Sequence, residues 1–282
     1  MRQERQRVAQ ETIRILNAGE YSGPAGSIVA LKEPLRRCVS ATLCYEPEAL
    51  SALVSSMVEI PERDQQVVLE VSEETTLAGA QRLRAVAPGL RLGVLNFASA
   101  RNPGGGFESG AQAQEESLAR SSGLIESLRR CSGFYEQHRR QSSLLYSDRV
   151  IYSPDCPVFR ADDGQLLPEP YVVDFLTCPA PNAGAIRREQ PADVARIEPV
   201  LRERDAKILA VAATKGCHGL VLGAWGCGVF GNDPVMVARA FAEHLGPGGG
   251  FERRFDRVLF AVFDTAKGRA SYRAFANLFS TP

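Results

Sequence analysis

The sequence predicts an α/β fold in which a central sheet is covered by helices on both faces. Two observations carry this. From residue 91 onward, apolar strand-like runs alternate with helical patterns, the order that produces a sheet wrapped by helices. The run 171–178 is apolar almost without interruption, and 219–224 and 257–263 read the same way. A strand with one wet face alternates apolar and polar residues, so unbroken runs belong to strands buried on both faces.

The elements follow in order. Residues 3–17 interleave charge with Val8, Ile13, Ile15 and Leu16, predicting an amphipathic helix that ends at Asn17-Ala18-Gly19. Short strands are expected at 27–31 and 39–45. A helix is expected at 47–56, where Pro47 suits the first turn and Leu50, Leu53 and Val54 pack. The β-branched run 66–71 reads as a strand and the alanine- and leucine-rich 74–86 as a helix. Pro88-Gly89 is a turn, and 91–97 is the strand that feeds a glycine loop. A helix is expected over 112–128, with Leu118, Ile125 and Leu128 as its apolar stripe, and a more polar one over 132–143. Short strands at 150–152 and 157–159 precede a hairpin turn at Asp162-Asp163-Gly164. Strand 171–178, a loop at 179–193, helix 200–216 and strand 219–224 come next. Asp233 and Pro234 open a helix over 233–245. After a loop at 246–250, the strand 257–263 and a helix at 269–279 close the chain. Residues 1–90 read as a mainly helical N-terminal extension packed on a core of residues 91–282.

Composition narrows the function. The 33 basic and 33 acidic residues cancel, so no global field draws in nucleic acid. A polyanionic ligand would be held by local amides and arginines. Seven cysteines at irregular spacing, with no CxxC, argue against a disulfide framework and for a reduced, cytoplasmic setting. Most are expected as buried small apolar groups. Cys217-His218 and Cys227 match no zinc spacing, so no metal site is expected. The N-terminus lacks an apolar signal region, and no apolar run reaches about 18 residues, so no membrane association is expected.

The chemistry concentrates in residues 94–124, VLNFASARNPGGGFESGAQAQEESLARSSGL. Gly104, Gly105 and Gly106 lack Cβ atoms, so their backbone amides can approach a ligand closely. Asn96 and Asn102 offer amide groups on either side. Gln114, Glu115 and Glu116 follow after seven residues. Neighbours on a helix point about 100° apart, so the two carboxylates take different jobs. One can face a reacting atom while the other holds the flanking part of the ligand. A purely structural reading also exists: acidic residues in a first turn complement the helix dipole, and Ser109 and Gln112 have capping-box spacing.

A second loop, Gly226-Cys227-Gly228-Val229-Phe230-Gly231, is a GxGxxG between a strand and a helix. Such glycines and a helix N-terminus make a cradle for a diphosphate. A dinucleotide-dependent oxidoreductase would use the same pattern. Against it, the loop lies late in the chain, the acidic residue due about 20 positions on is at best Glu252, and the glycine–glutamate element is left unused.

GGG, seven residues and QEE resemble the signature of bacterial-type poly(ADP-ribose) glycohydrolases. PYVVDFLTCPAPN (170–182), GLVLGAWGCGVFGND (219–233) and RVLFAVFD (257–264) are similar to segments of the same family. The resemblance runs from about residue 94 to the C-terminus and is softer over 1–90. It implies a macrodomain-like three-layer α/β/α sandwich with a mixed sheet. It implies an enzyme that hydrolyses ribose–ribose O-glycosidic bonds of poly(ADP-ribose), mainly from the chain end, and releases ADP-ribose. By motif position, Glu116 would be acid and then base, Glu115 would hold ribose hydroxyls, and Asn102 would position the terminal ribose. Asn96, Gly104, Gly105, Gly106 and Gln114 would complete that side of the site. Gly226, Cys227, Gly228, Val229, Phe230, Gly231 and Asn232 would wrap the diphosphate, with Phe230 beside the distal ribose. Adenine is expected near Phe263 and Asp264. A neighbouring Glu115 and the bound diphosphate are expected to raise the pKa of Glu116 toward that of a working acid. No cofactor, metal or nucleic-acid partner is implied, and a monomer is expected. The alternative is a macrodomain that binds ADP-ribose without cleaving it; only the glutamates separate the two.

Overall fold

The computed structural model describes residues 1–279. In chain order the elements are α1 (Arg2–Ala18), β1 (Glu20–Ser22), β2 (Ile28–Ala30), α2 (Lys32–Ala41), β3 (Leu43–Tyr45), α3 (Pro47–Ser56), β4 (Val68–Ser72), α4 (Thr76–Val86) and β5 (Leu92–Phe97). They continue with α5 (Gln114–Ser121), α6 (Leu124–Arg130), α7 (Ser132–Arg140), β6 (Val150–Arg160), β7 (Leu166–Cys178), α8 (Ala183–Glu189) and α9 (Ile197–Thr214). The last are β8 (Gly219–Leu222), α10 (Pro234–Leu245), β9 (Arg257–Ala261) and α11 (Ala270–Phe279).

Seven strands form one sheet in the order β3-β6-β7-β5-β8-β9-β4. The five from β7 to β4 run parallel, and β6 and β3 pair antiparallel, so the sheet is mixed. Successive residues of a strand face opposite sides, and the cores divide accordingly. Leu95, Leu176, Leu220, Leu222 and Phe260 pack on the side of α9, α10 and α11. Val94, Phe175, Val221 and Leu259 pack on the side of α4, α6 and α7. This is the macrodomain-like three-layer sandwich. A third cluster seats α1 and the β1–β2 hairpin against Phe107, Ala119, Ile125 and Phe159.

Several expectations change. Residues 39–41 are the end of α2, and the expected strand is confined to β3; local helix formation outweighs the β-branched composition at Val39. The helix expected over 112–128 is two, because Ser122 turns extended and bridges Val158, while Gly123 N donates to Pro157 O (2.9 Å). The strands expected at 150–152 and 157–159 are halves of β6, joined across a register shift between Ser153 and Cys156. The expected loop 179–193 contains α8, capped by Asn182, whose side chain accepts from Ala185 N. Residue 90 marks no boundary in the fold, since β3 and β4, from opposite edges of the sheet, both precede it. Cys44 and Cys131 form a disulfide with Cα atoms 6.2 Å apart, tying β3 to the turn between α6 and α7. The other five cysteines are free.

One buried charge stands out in the core. Asp205 on α9 is fully buried, and neither carboxyl oxygen has a hydrogen-bond partner. Burial pushes its pKa well above the usual range; Arg204 opposes this and Glu243 adds to it. A raised folded-state pKa stabilises the fold fully below the unfolded value, and that contribution is lost as pH rises. Asp205→Asn is therefore expected to gain on wild type in melting temperature between pH 5 and pH 8, and to melt above it at pH 8. Thermal melts at both pH values check this, and a lower melting point for the variant at pH 8 would contradict it.

Candidate active site

Since β5, β8 and β9 are parallel neighbours, the segments 98–113, 223–233 and 262–269 all leave the same edge of the sheet. They lie beyond the carboxyl ends of the strands, where open α/β sheets bind ligands. Both sequence motifs are thereby brought to one side of the molecule.

The first segment folds back on α5. The capping box does not form: Ser109 Oγ donates to Gly106 O (2.9 Å), Gln112 Nε2 to Ser117 Oγ (3.0 Å), and α5 starts without a side-chain cap. Gln114 is wholly engaged by protein. Its Oε1 accepts from Phe97 N (2.9 Å), and its Nε2 donates to Leu95 O (2.8 Å) and Thr76 Oγ1 (3.1 Å). It fastens α5 to β5. Glu115 is 2% exposed and accepts from Ser99 N (2.6 Å) and Asn96 Nδ2 (3.3 Å). Glu116 is half-buried and accepts from Gly106 N (3.0 Å). Both carboxylates converge on Gly105. A Cβ there would collide with Glu116 Oε1 and lie 3.3 Å from Glu115 Oε2, and its φ of 58° already favours glycine.

Burial pushes Glu115 up to about 8; hydrogen bonds from Ser99, Asn96 and Gly104 oppose this, and the charge of Glu116 adds to it. Glu115 is thus a carboxyl held protonated near neutrality. Asn96 is fully buried and also donates to Thr177 Oγ1 (3.1 Å), so it supports Glu115 from the core. Its Oδ1 and the hydroxyl of buried Tyr135 have no partner. Burial raises the pKa of Tyr135, and the nearby Glu115 raises it further. Sequence reasoning passed over Tyr135, which sits on a polar helix with no motif around it. Asn102 is exposed at the loop tip, its amide donating to Ser99 Oγ (3.2 Å).

The outer side of the loop is clamped by α1. Arg2 Nε and Gln6 Nε2 donate to Ser109 O (3.0 and 3.2 Å), and Arg5 Nε donates to Gly110 O (2.8 Å). Arg120, one turn beyond Glu116, donates to Ala111 O (2.9 Å). Thr12 Oγ1 in turn donates to Arg120 O (2.6 Å). Three successive carbonyls are thus met by side chains while the amide of Gly106 turns inward. A Cβ on Gly110 would lie 2.6 Å from Arg2 O. Nothing in the sequence singled out these residues beyond the amphipathic pattern of α1.

The second segment is also built from within. Trp225 is fully buried and its Nε1 donates to Cys178 O (3.1 Å). Asn232 is buried, and its Nδ2 donates to Pro181 O (2.8 Å) and Gly226 O (3.1 Å) and closes the loop, while its Oδ1 has no partner among the described residues. Gly226 and Gly231 have φ of 71° and 64°. Gly228 and Val229 are exposed. Phe230 is half-buried with its ring 6.0 Å from Tyr146, and its carbonyl accepts from Gly184 N (2.8 Å) at the start of α8. Arg204 holds Tyr146 in place through Tyr146 O (3.0 Å) and Leu145 O (2.6 Å). Burial pushes the Cys227 thiol up to about 12, so it is no nucleophile. Cys217 lies apart from it, buried with Sγ 3.6 Å from Asp174 Oδ2. Among the described residues no group of three metal-ligating side chains occurs. In the third segment Phe263 is 64% exposed. Asp264 caps α11, accepting from Ser271 N (2.9 Å) and Tyr272 N (3.4 Å).

A family model described as "Microbial-type PARG, catalytic domain" matches residues 9–161. Among solved structures, the chain is similar to poly(ADP-ribose) glycohydrolase from Thermomonospora curvata. The identity is 51%, the TM-score 0.95, and 99% of this chain and 100% of that chain are covered. The same protein bound to the inhibitor ADP-HPD matches at 51% identity and TM-score 0.91, over 98% of this chain and 99% of that one. Poly(ADP-ribose) glycohydrolase from Deinococcus radiodurans in complex with ADP-ribose matches at 45% identity and TM-score 0.80, over 86% and 95%. Among curated proteins there is no match.

A raised folded-state pKa for Glu115 means that stability from its neutral form is present below about 4.5 and is lost as pH climbs through about 8. Glu115→Gln removes that loss. Its melting temperature is expected to gain on wild type steadily between pH 5 and pH 9. Melting curves across the range check this, and a difference that is the same at every pH would contradict the buried-acid description.

Proposed function

Starting from the fact that this chain belongs to the microbial-type poly(ADP-ribose) glycohydrolase family, we propose that Glu116 carries the chemistry of the site. The chain is a glycoside hydrolase acting on poly(ADP-ribose). The observation that supports the assignment is the asymmetry at Gly105: two carboxylates meet there, one buried and one half-exposed.

Glycosidic cleavage passes through an oxocarbenium-like transition state and commonly uses carboxyls on opposite sides of the sugar. Adjacent residues in one helical turn cannot flank a sugar. One residue therefore serves in both steps. Protonated Glu116 gives its proton to the leaving ribose oxygen as the C1″–O bond breaks. The resulting carboxylate takes a proton from water, whose oxygen bonds to C1″, and Glu116 is restored. Gly106 N–H holds one of its oxygens and leaves the other for the substrate. Glu115, kept neutral by burial, places no second negative charge beside the first and offers an O–H to a ribose hydroxyl.

The diphosphate is assigned to the amides around Gly228, the distal ribose to Phe230 and Asn102, and the adenine to exposed Phe263. Phe230, braced by Tyr146, and the loop braced by α1 wall the cleft beyond the terminal ribose. That shape supports release of ADP-ribose mainly from the chain end.

In Glu116→Gln the shape is kept and the proton is lost. General acid–base groups contribute about 10²–10⁴ in rate, so polymer hydrolysis is expected to become nearly undetectable while ADP-ribose affinity stays within a few-fold of wild type. Single-turnover product release and calorimetry measure the two quantities. Wild-type turnover in the folded variant would overturn the assignment. A wild type that binds ADP-ribose but releases nothing from polymer would show a reader instead.

A further inference from the structure

The wall between the two loops carries charge that the reaction does not use. The end of α7 touches the first loop and is linked to the second through Tyr146. Arg139 Nη1 donates to Arg101 O (2.7 Å), directly before Asn102. The ring of His138 lies 5.9 Å from that of Tyr146, which in turn faces Phe230. Arg101 and Arg139 are both exposed. Some exposed arginines elsewhere are neutralised locally, Arg36 by Glu33, Arg129 by Glu126 and Glu108, Arg196 by Asp193, while others, such as Arg14 and Arg37, stand unpaired among the described residues, away from the two loops. Among the described residues neither Arg101 nor Arg139 has an acidic partner within salt-bridge distance.

We propose that Arg101 and Arg139 form a phosphate-binding subsite for the ADP-ribose unit on the leaving side of the scissile bond. The inference rests on the functional reading above and extends it past the terminal unit. When that unit fills the cleft, its neighbour begins at the glycosidic oxygen, next to Glu116 and the loop tip at Asn102. The diphosphate of that neighbour lies one ribose away. A guanidinium matches phosphate oxygens in both charge and fork geometry. The chain carries no net charge, so a polyanion must be guided by such local pairs. The bond from Arg139 fixes the backbone of Arg101 and leaves the Arg101 side chain free of protein partners.

Arg101→Ala with Arg139→Gln tests this, since glutamine removes the charge but can still donate to Arg101 O. Hydrogen bonds to charged groups contribute about 1.5–3 kcal/mol each, so KM for polymer is expected to rise about tenfold or more at low salt. We expect kcat and the ADP-ribose Kd to stay within about twofold, and the KM difference to shrink as salt screens the charges. The pair Arg101→Lys and Arg139→Lys should recover part of the loss. Arg14→Ala with Arg37→Ala, which removes the same charge from exposed positions on α1 and α2, should leave KM unchanged. Three outcomes overturn the subsite: a wild-type KM in the double variant at low salt, an equal rise in the control pair, or an equal loss of ADP-ribose affinity. If wild type cleaves no polymer, the functional reading falls separately. Polymer binding to the Glu116→Gln protein, with and without the two arginines, then decides the subsite by the same criteria.

Discussion

In the proposed mechanism two carboxylates on one helical turn address one sugar, and they can do so only where the facing backbone has no side chain. Gly105 meets that constraint. Its φ of 58°, with 70° at Gly104, turns the loop so that Gly106 N–H reaches Glu116. The same turn faces the carbonyls of Ser109, Gly110 and Ala111 outward, and they require partners there. α1 and Arg120 provide them. A helix that looks peripheral is in this way joined to the reaction centre through the backbone of one loop.

The glutamates divide their work by depth. Burial holds Glu115, set against Asn96, Ser99 and Tyr135, in its protonated form near neutrality, while Glu116 stays half-exposed. The second loop follows a similar logic: Trp225 and Asn232 fix its ends from inside the core, so that Gly228, Val229 and Phe230 are presented without support from a ligand.

Much of this was legible in the sequence, for identifiable reasons. The parallel strands β7, β8 and β9 declared themselves by unbroken apolar runs. Asp233-Pro234 marked the start of α10, and Pro47 that of α3. The glycine–glutamate spacing located the site. Non-local contacts stayed hidden. The break after Ser121 comes from a bridge to Val158, and the bend in β6 from a bulge; neither has a local signal. Gln114 spends both ends of its amide on protein groups, and Asn96 and Asn232 spend their Nδ2 groups in the same way, which only the fold reveals. Arg5 and Tyr135 show the reverse case, side chains of ordinary appearance that the fold brings to the loop and to Glu115.

The account rests on Gly105 being the point where the glutamates meet the substrate, so Gly105→Ala tests it most directly. A left-handed alanine costs roughly 1–2 kcal/mol, and the melting temperature should fall by only a few degrees. The added methyl would displace Glu116 from Gly106 N–H. Single-turnover release of ADP-ribose from polymer is expected to drop on the order of 10² or more, far out of proportion to the stability change. A folded Gly105→Ala protein that cleaves polymer at the wild-type rate would contradict the account.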